Sequence, residues 1–96
     1  MEAITFEWDE NKSLANQKKH GISFEEAKTV FYDESARMIH DPDHSEDEDR
    51  FILLGISFQL RILVVVHAYR QSDQIIRIIS ARKATKNEAS KYKKVK

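Results

Sequence analysis

Leu60-Arg61-Ile62-Leu63-Val64-Val65-Val66-His67 carries apolar side chains on both parities. A strand of that pattern is covered on both faces, at least in part, and so sits in the middle of a sheet. Its β-branched residues suit a buried, pleated ladder. The runs on either side are of the same kind. Residues 51–58 read as a strand before it and 74–81 as a strand after it, with 60–69 as the central one. Gln59 and residues 70–73 are the natural connectors, which predicts hairpins and an antiparallel order.

Working towards the N-terminus, residues 41–49 form a loop in which six of nine residues are acidic, and Arg37-Met38-Ile39-His40 reads as a short strand. Ser23-Phe24-Glu25-Glu26 has the spacing of a reciprocal capping box and opens a helix that ends near Asp33. Asp9 is an N-cap for an earlier helix running to about Lys19, closed by Gly21 in a left-handed conformation. Lys18, Lys19 and His20 suit the negative end of that helix. Ile4-Thr5-Phe6-Glu7-Trp8 alternates as a strand does. At the other end, Thr85-Lys86-Asn87-Glu88 is a second capping box, opening a basic helix to about Lys94. The order β-α-α-β-β-β-β-α predicts an α+β fold: two N-terminal helices and a C-terminal helix packed on a mainly antiparallel sheet.

The 96 residues suffice for one domain, 1–96, around one core. There is no cysteine, which excludes disulfides, thiolate metal sites and thiol nucleophiles. No basic, apolar leader opens the chain, and its longest pure apolar run, residues 62–66, is far below the ~20 residues of a membrane helix. A cytoplasmic protein with no membrane contact is the expectation.

The net charge of zero conceals a division. Residues 1–50 carry 14 acidic against 6 basic side chains, a net of −8; residues 51–96 carry 2 against 10, a net of +8. Arginines held on rigid strands are suited to gripping phosphates. Arg61, Arg70, Arg77 and Arg82 sit in or beside the apolar runs. On a straight strand, Arg77 and Arg82 face opposite sides; a bulge, or the strand end near Ala81, would reunite them. The competing role for each arginine is an ion pair with the acidic half. His67 has the chemistry of an acid, a base or an oxyanion donor, although a lone histidine in an apolar strand more often serves the core. The acidic loop lacks the glycine of a calcium loop and reads as solvated; no metal or other cofactor is expected.

Several segments, taken in order, resemble one family. Phe6-Glu7-Trp8-Asp9-Glu10-Asn11-Lys12 and then Asn16-Gln17-Lys18-Lys19-His20-Gly21-Ile22-Ser23-Phe24-Glu25-Glu26-Ala27 resemble the opening of the BrnT toxins of bacterial type II toxin–antitoxin systems. Asp41-Pro42, His44-Ser45, Glu46, Glu48, Arg50 and Gly55 follow, then Ile76-Arg77-Ile78-Ile79-Ser80-Ala81-Arg82-Lys83-Ala84 and Glu88. The resemblance implies a RelE-like fold and a ribonuclease that blocks translation. It also implies an antitoxin, BrnA, with a ribbon-helix-helix DNA-binding domain, through which the complex reaches its operator. The positions that match and have usable chemistry are Lys19, His20, Glu46, Arg50, Arg77 and Arg82; His67 and Arg61 join them on chemistry alone. Arg61, Arg70 and Lys83 are the expected RNA contacts, with the other seven as catalytic candidates. The alternative is a non-catalytic module whose basic sheet holds an acidic protein segment or nucleic acid.

Overall fold

The computed structural model describes residues 4–41, 49–70 and 74–93. Its elements are β1 (Thr5–Glu7), α1 (Glu10–His20), α2 (Phe24–Thr29), a 3-10 turn (Val30–Tyr32), β2 (Arg37–Asp41), β3 (Arg50–Ile56), β4 (Ile62–Arg70), β5 (Ile75–Lys83) and α3 (Lys86–Lys93). The five strands form one sheet in the order β1-β5-β4-β3-β2. The meander from β2 to β5 is antiparallel, while β1 returns to pair parallel with β5. The α+β expectation is met, with a mixed sheet. The central position of β4 follows from its two apolar parities: Leu63 and Val65 are buried on one face and Val64 and Ala68 on the other.

Local signals explain the helix ends. Asp9 accepts from the backbone N–H groups of Asn11 (2.8 Å) and Lys12 (3.3 Å), and Gly21 closes α1 at φ 75°. Ser23 Oγ accepts from the Glu26 N–H at 3.1 Å. The return bond from Glu26 to Ser23 is not made, because the Glu26 carboxylate is engaged elsewhere. Thr85 and Glu88 do form the reciprocal pair, at 2.8 and 3.2 Å.

Ile22, Phe24, Ala27 and Val30 pack on Leu53, Leu63, Val65, Ile78 and Ala81, with Phe6, Trp8, Phe31 and Ala36 around them. Trp8 meets Phe24 edge-on at 6.2 Å, and Phe6 meets Phe31 at 5.2 Å. Helix α1 contributes little apolar surface to this core. Its buried residues are Ser13 and Asn16, and Leu14 is exposed. Polar bonds hold it instead. Asn16 donates to the carbonyls of Ile22 and Ala81, both at 2.8 Å, and accepts from the Ala81 N–H at 3.2 Å. Its amide acts as a one-residue strand where β1 no longer covers β5. Gly55 is required by close approach: a Cβ there would lie 2.9 Å from Val30, Asp33 and Ala36. Asp33 uses that proximity, accepting from the Ile56 N–H at 2.9 Å and the Tyr92 hydroxyl at 2.8 Å, so it ties the 3-10 turn, β3 and α3 together.

The hairpin between β3 and β4 is longer than its sequence suggests. It is closed by Ser57 N–H to Arg61 C=O and Leu60 N–H to Ser57 C=O, both 2.8 Å. Leu60 adopts φ 63°, where a leucine is strained.

Candidate nucleic-acid interface

Strand β5 carries a register shift opposite Val66 and His67. Above it, Arg82 pairs with Val64 and Ser80 with Val66; below it, Ile78 pairs with His67 and Arg77 with Ala68. Val64, Val66 and Ala68 share one face of β4, so Ile79 is the extra residue and Arg77 and Arg82 emerge on the same side. This is the sheet face away from α2. The bulge decides the question that a straight strand would answer the other way.

One row crosses that face: Asp41 on β2 pairs with Arg50 on β3, Ala68 on β4 pairs with Arg77 on β5, and Arg77 pairs with Glu7 on β1. Arg50 and Ala68 stand one step beyond the Phe51–His67 pair that ends the β3–β4 ladder. Ala68 is the small residue between the two arginines and is buried beneath them. Arg50 and Arg77 line a common hollow of about 80 Å³ with Asp9, Lys12, Ile78 and Ile79. The N-cap and first turn of α1 therefore close the hollow from the sheet edge. Arg70 borders the row through Glu7, to which it donates at 2.9 Å. Two guanidinium groups and an ammonium line the hollow against the one carboxylate of Asp9, an excess of positive groups that suits an oxyanion.

The other basic residues are differently occupied. Arg61 Nε donates to Glu26 at 2.9 Å, and its Nη2 donates to the second carboxylate oxygen and to the Gly21 carbonyl (3.3 Å). Ser57 Oγ donates to the same carboxylate at 2.7 Å. Glu26 is 2 % exposed. Burial alone would raise its pKa, but the Arg61 and Ser57 hydrogen bonds and the Arg61 and Lys83 charges outweigh it and hold it below the ordinary value. Arg61 and Lys83 thus gather at the end of α1, next to exposed Lys19 and half-buried His20. Arg82, on the open face, is held bidentately by Glu88 at 2.8 and 2.9 Å. The Arg82 hydrogen bonds, against some burial and with help from Thr85, bring the Glu88 carboxyl down to about 2.

His67 takes no part in either group. It is fully buried on the helix side of the sheet, edge-on to Phe31 (4.8 Å) and Tyr69 (5.3 Å), with Phe51 at 6.2 Å. Nδ1 lies 3.3 Å from the Val65 carbonyl, a bond that requires the proton on Nδ1. Nε2 has no hydrogen-bond partner among the described residues. Burial pushes its pKa down to about 4. Relative to an ordinary 6.5, the neutral folded form is favoured, so this contribution is complete above pH 6.5 and is lost as pH falls towards 4. The shift corresponds to about 3 kcal/mol. Urea titrations at pH 7 and pH 4.5 should show a large loss for the native chain and a smaller one for His67→Phe. Equal losses would refute the assignment.

Of the sequence candidates, the structure brings Arg50 and Arg77 together and adds Lys12, which the sequence reading missed. Arg82 shares their face, Arg70 borders it, and Lys19, His20, Arg61 and Lys83 form a separate basic end. Glu46 lies outside the described residues. No group of three or more potential metal ligands occurs among the described residues. No helix among them is long and apolar enough to cross a membrane.

Fold and site together define a small α+β protein with a hollow on its sheet lined by two arginines and a lysine. The profile of the family described as "ribonuclease toxin, BrnT, of type II toxin-antitoxin system" matches residues 8–88, and the chain belongs to that family. Its structure is similar to the 1.1 Å crystal structure of the Brucella abortus ribonuclease toxin BrnT, at 25 % identity and a TM-score of 0.62, covering 90 % of this chain and 100 % of that one. No curated protein is significantly similar in sequence.

Proposed function

We propose that this chain is a cytoplasmic endoribonuclease of RelE-like architecture, folded as one domain, that cleaves RNA without a metal and so stops translation. The observation that carries this reading is the convergence of Arg50 and Arg77 across Ala68, beside Lys12, in a family described as ribonuclease toxins. RNA supplies its own nucleophile. The 2′-oxygen attacks the adjacent phosphorus, its proton passes to a base, the P–O5′ bond breaks, and the 5′-oxygen takes up a proton; a 2′,3′-cyclic phosphate remains. Arg50, Arg77 and Lys12 stabilise the charge that builds on the phosphorane oxygens.

His20 stands eight residues beyond Lys12 on α1, roughly 12 Å along the helix axis, too far to move a proton at a phosphate held in the hollow. Glu46, four residues before Arg50 in the chain, is assigned the proton-accepting role. Lys19, His20, Lys83 and Arg70 hold the flanking RNA backbone. Arg82 and Arg61 are given framework roles through Glu88 and Glu26, and His67 a core role. A BrnA-type antitoxin with a ribbon-helix-helix domain neutralises the toxin and carries the complex to operator DNA.

Incubation of the purified chain with RNA in excess chelator tests the proposal. Cleavage should persist with chelator and vanish when a 2′-deoxynucleotide stands 5′ to the scissile bond. Cleavage of that substituted RNA would exclude 2′-oxygen attack. Binding without cleavage would favour the non-catalytic module.

A further inference from the structure

Strand β2 is an edge strand, paired only with β3 among the described residues. Arg37, Met38, Ile39 and His40 are all exposed, Met38 to 50 % and Ile39 to 58 %. Proteins usually blunt such an edge, because its open N–H and C=O groups accept another strand. This one carries no proline, and its middle residue is an isoleucine. On the open face, Ile39 continues into a groove of about 310 Å³ lined by Ile52, Leu54 and Val64, with Arg37, Arg82, Glu88 and Lys91 at its rim.

The charge order along β2 says which strand fits. We infer that β2 pairs antiparallel with β2 of a second copy of this chain, about a two-fold axis through Ile39. That register sets Arg37 opposite Asp41 of the second copy and Asp41 opposite its Arg37. Met38 meets His40, and Ile39 meets Ile39. Both charged positions face an opposite charge, and no like charges meet. Parallel in-register pairing would set arginine beside arginine and aspartate beside aspartate, which is unfavourable. Asp41 is 9 % exposed and is the register neighbour of Arg50, so the incoming Arg37 adds to a carboxylate already held in place.

The apolar register agrees. Ile39 pairs with Ile52, and Ile52 with Val66. The two-fold axis therefore joins two rows of β-branched side chains, Ile39, Ile52 and Val66 from each copy, into one strip across six strands. The contact is isologous and closes on itself, as a symmetric dimer requires. A five-residue ladder is smaller than a standard interface, so the association is weak and reversible. The inference does not depend on the ribonuclease reading.

The chain contains no cysteine, which permits a direct test. In the full chain, Ile39→Cys should oxidise to a disulfide-linked dimer at least ten times faster than Phe58→Cys at the exposed hairpin tip. Sedimentation of the native chain from about 1 µM to 1 mM should show a monomer–dimer equilibrium, and Ile39→Lys should weaken it tenfold or more. Equal oxidation rates, or a native chain monomeric throughout, would overturn the inference. So would protection of Ile39→Cys only on adding the antitoxin, which would give the edge to that partner.

Discussion

Arg61→Ala is expected to lower the stability of the folded chain by about 3–5 kcal/mol. The cause is not the lost arginine but the carboxylate left behind. Glu26 is 2 % exposed, and Arg61 supplies two of the three side-chain donors given for its carboxylate. Without them, the Ser57 hydroxyl alone faces a buried charge. Stability of a domain this size is typically about 5–15 kcal/mol, so the loss is a large share of the whole. Two controls separate this from loss of an RNA contact. Glu26→Gln placed in the Arg61→Ala background should restore much of the stability, because no charge is then stranded. The cost should also shrink on acidification. In the native chain the Glu26 pKa is depressed, so its contribution is present above the ordinary 4.5 and is lost as pH falls. In the variant, burial without Arg61 raises it, and protonation relieves the strain. Urea denaturation of the native chain and the two variants at pH 7 and pH 5 measures all of this. A cost below about 1 kcal/mol would place Arg61 among surface ion pairs.

Arg77→Ala should reduce RNA cleavage by about 10²–10³-fold, the usual effect of removing one preorganised donor to a transition-state oxyanion. Arg50→Ala should behave similarly. Arg77→Lys should fall between, since an ammonium keeps the charge and loses the planar fork. Single-turnover cleavage, with melting temperature and antitoxin binding measured alongside, distinguishes a chemical defect from a folding one. Native cleavage rates in both alanine variants would remove the arginine pair from the mechanism.

The elements were largely legible because their signals are local. The two-sided apolar run placed β4 at the centre, and Thr85–Glu88 formed the reciprocal cap that its spacing announces. The same spacing at Ser23–Glu26 was half misleading. A capping glutamate can also be recruited by residues far along the chain, and Arg61 is 35 positions away. The strand parity of Arg77 and Arg82 was unreadable for a related reason. One inserted residue at a bulge reverses every side chain beyond it, and Ile79 is chemically indistinguishable from its neighbours. The parallel return of β1 onto β5 was also missed, since short edge strands announce themselves but not their partners. Lys12 was not among the candidates, although it stands in the segment that resembles the family; only the path of α1 along β5 brings it to the hollow.

The attachment of α1 by Asn16 has a consequence for the order of assembly. Asn16 and Ala81 are 65 positions apart, and the pairing of Thr5 with Ile75 spans a similar length of chain. The antiparallel meander joins neighbours, so its contacts close early, whereas these contacts must wait. On a ribosome, β1 and α1 emerge first and find their partner last. The hollow takes Lys12 from α1 and Arg77 from β5. It is therefore incomplete until β5 has been made and has joined the sheet.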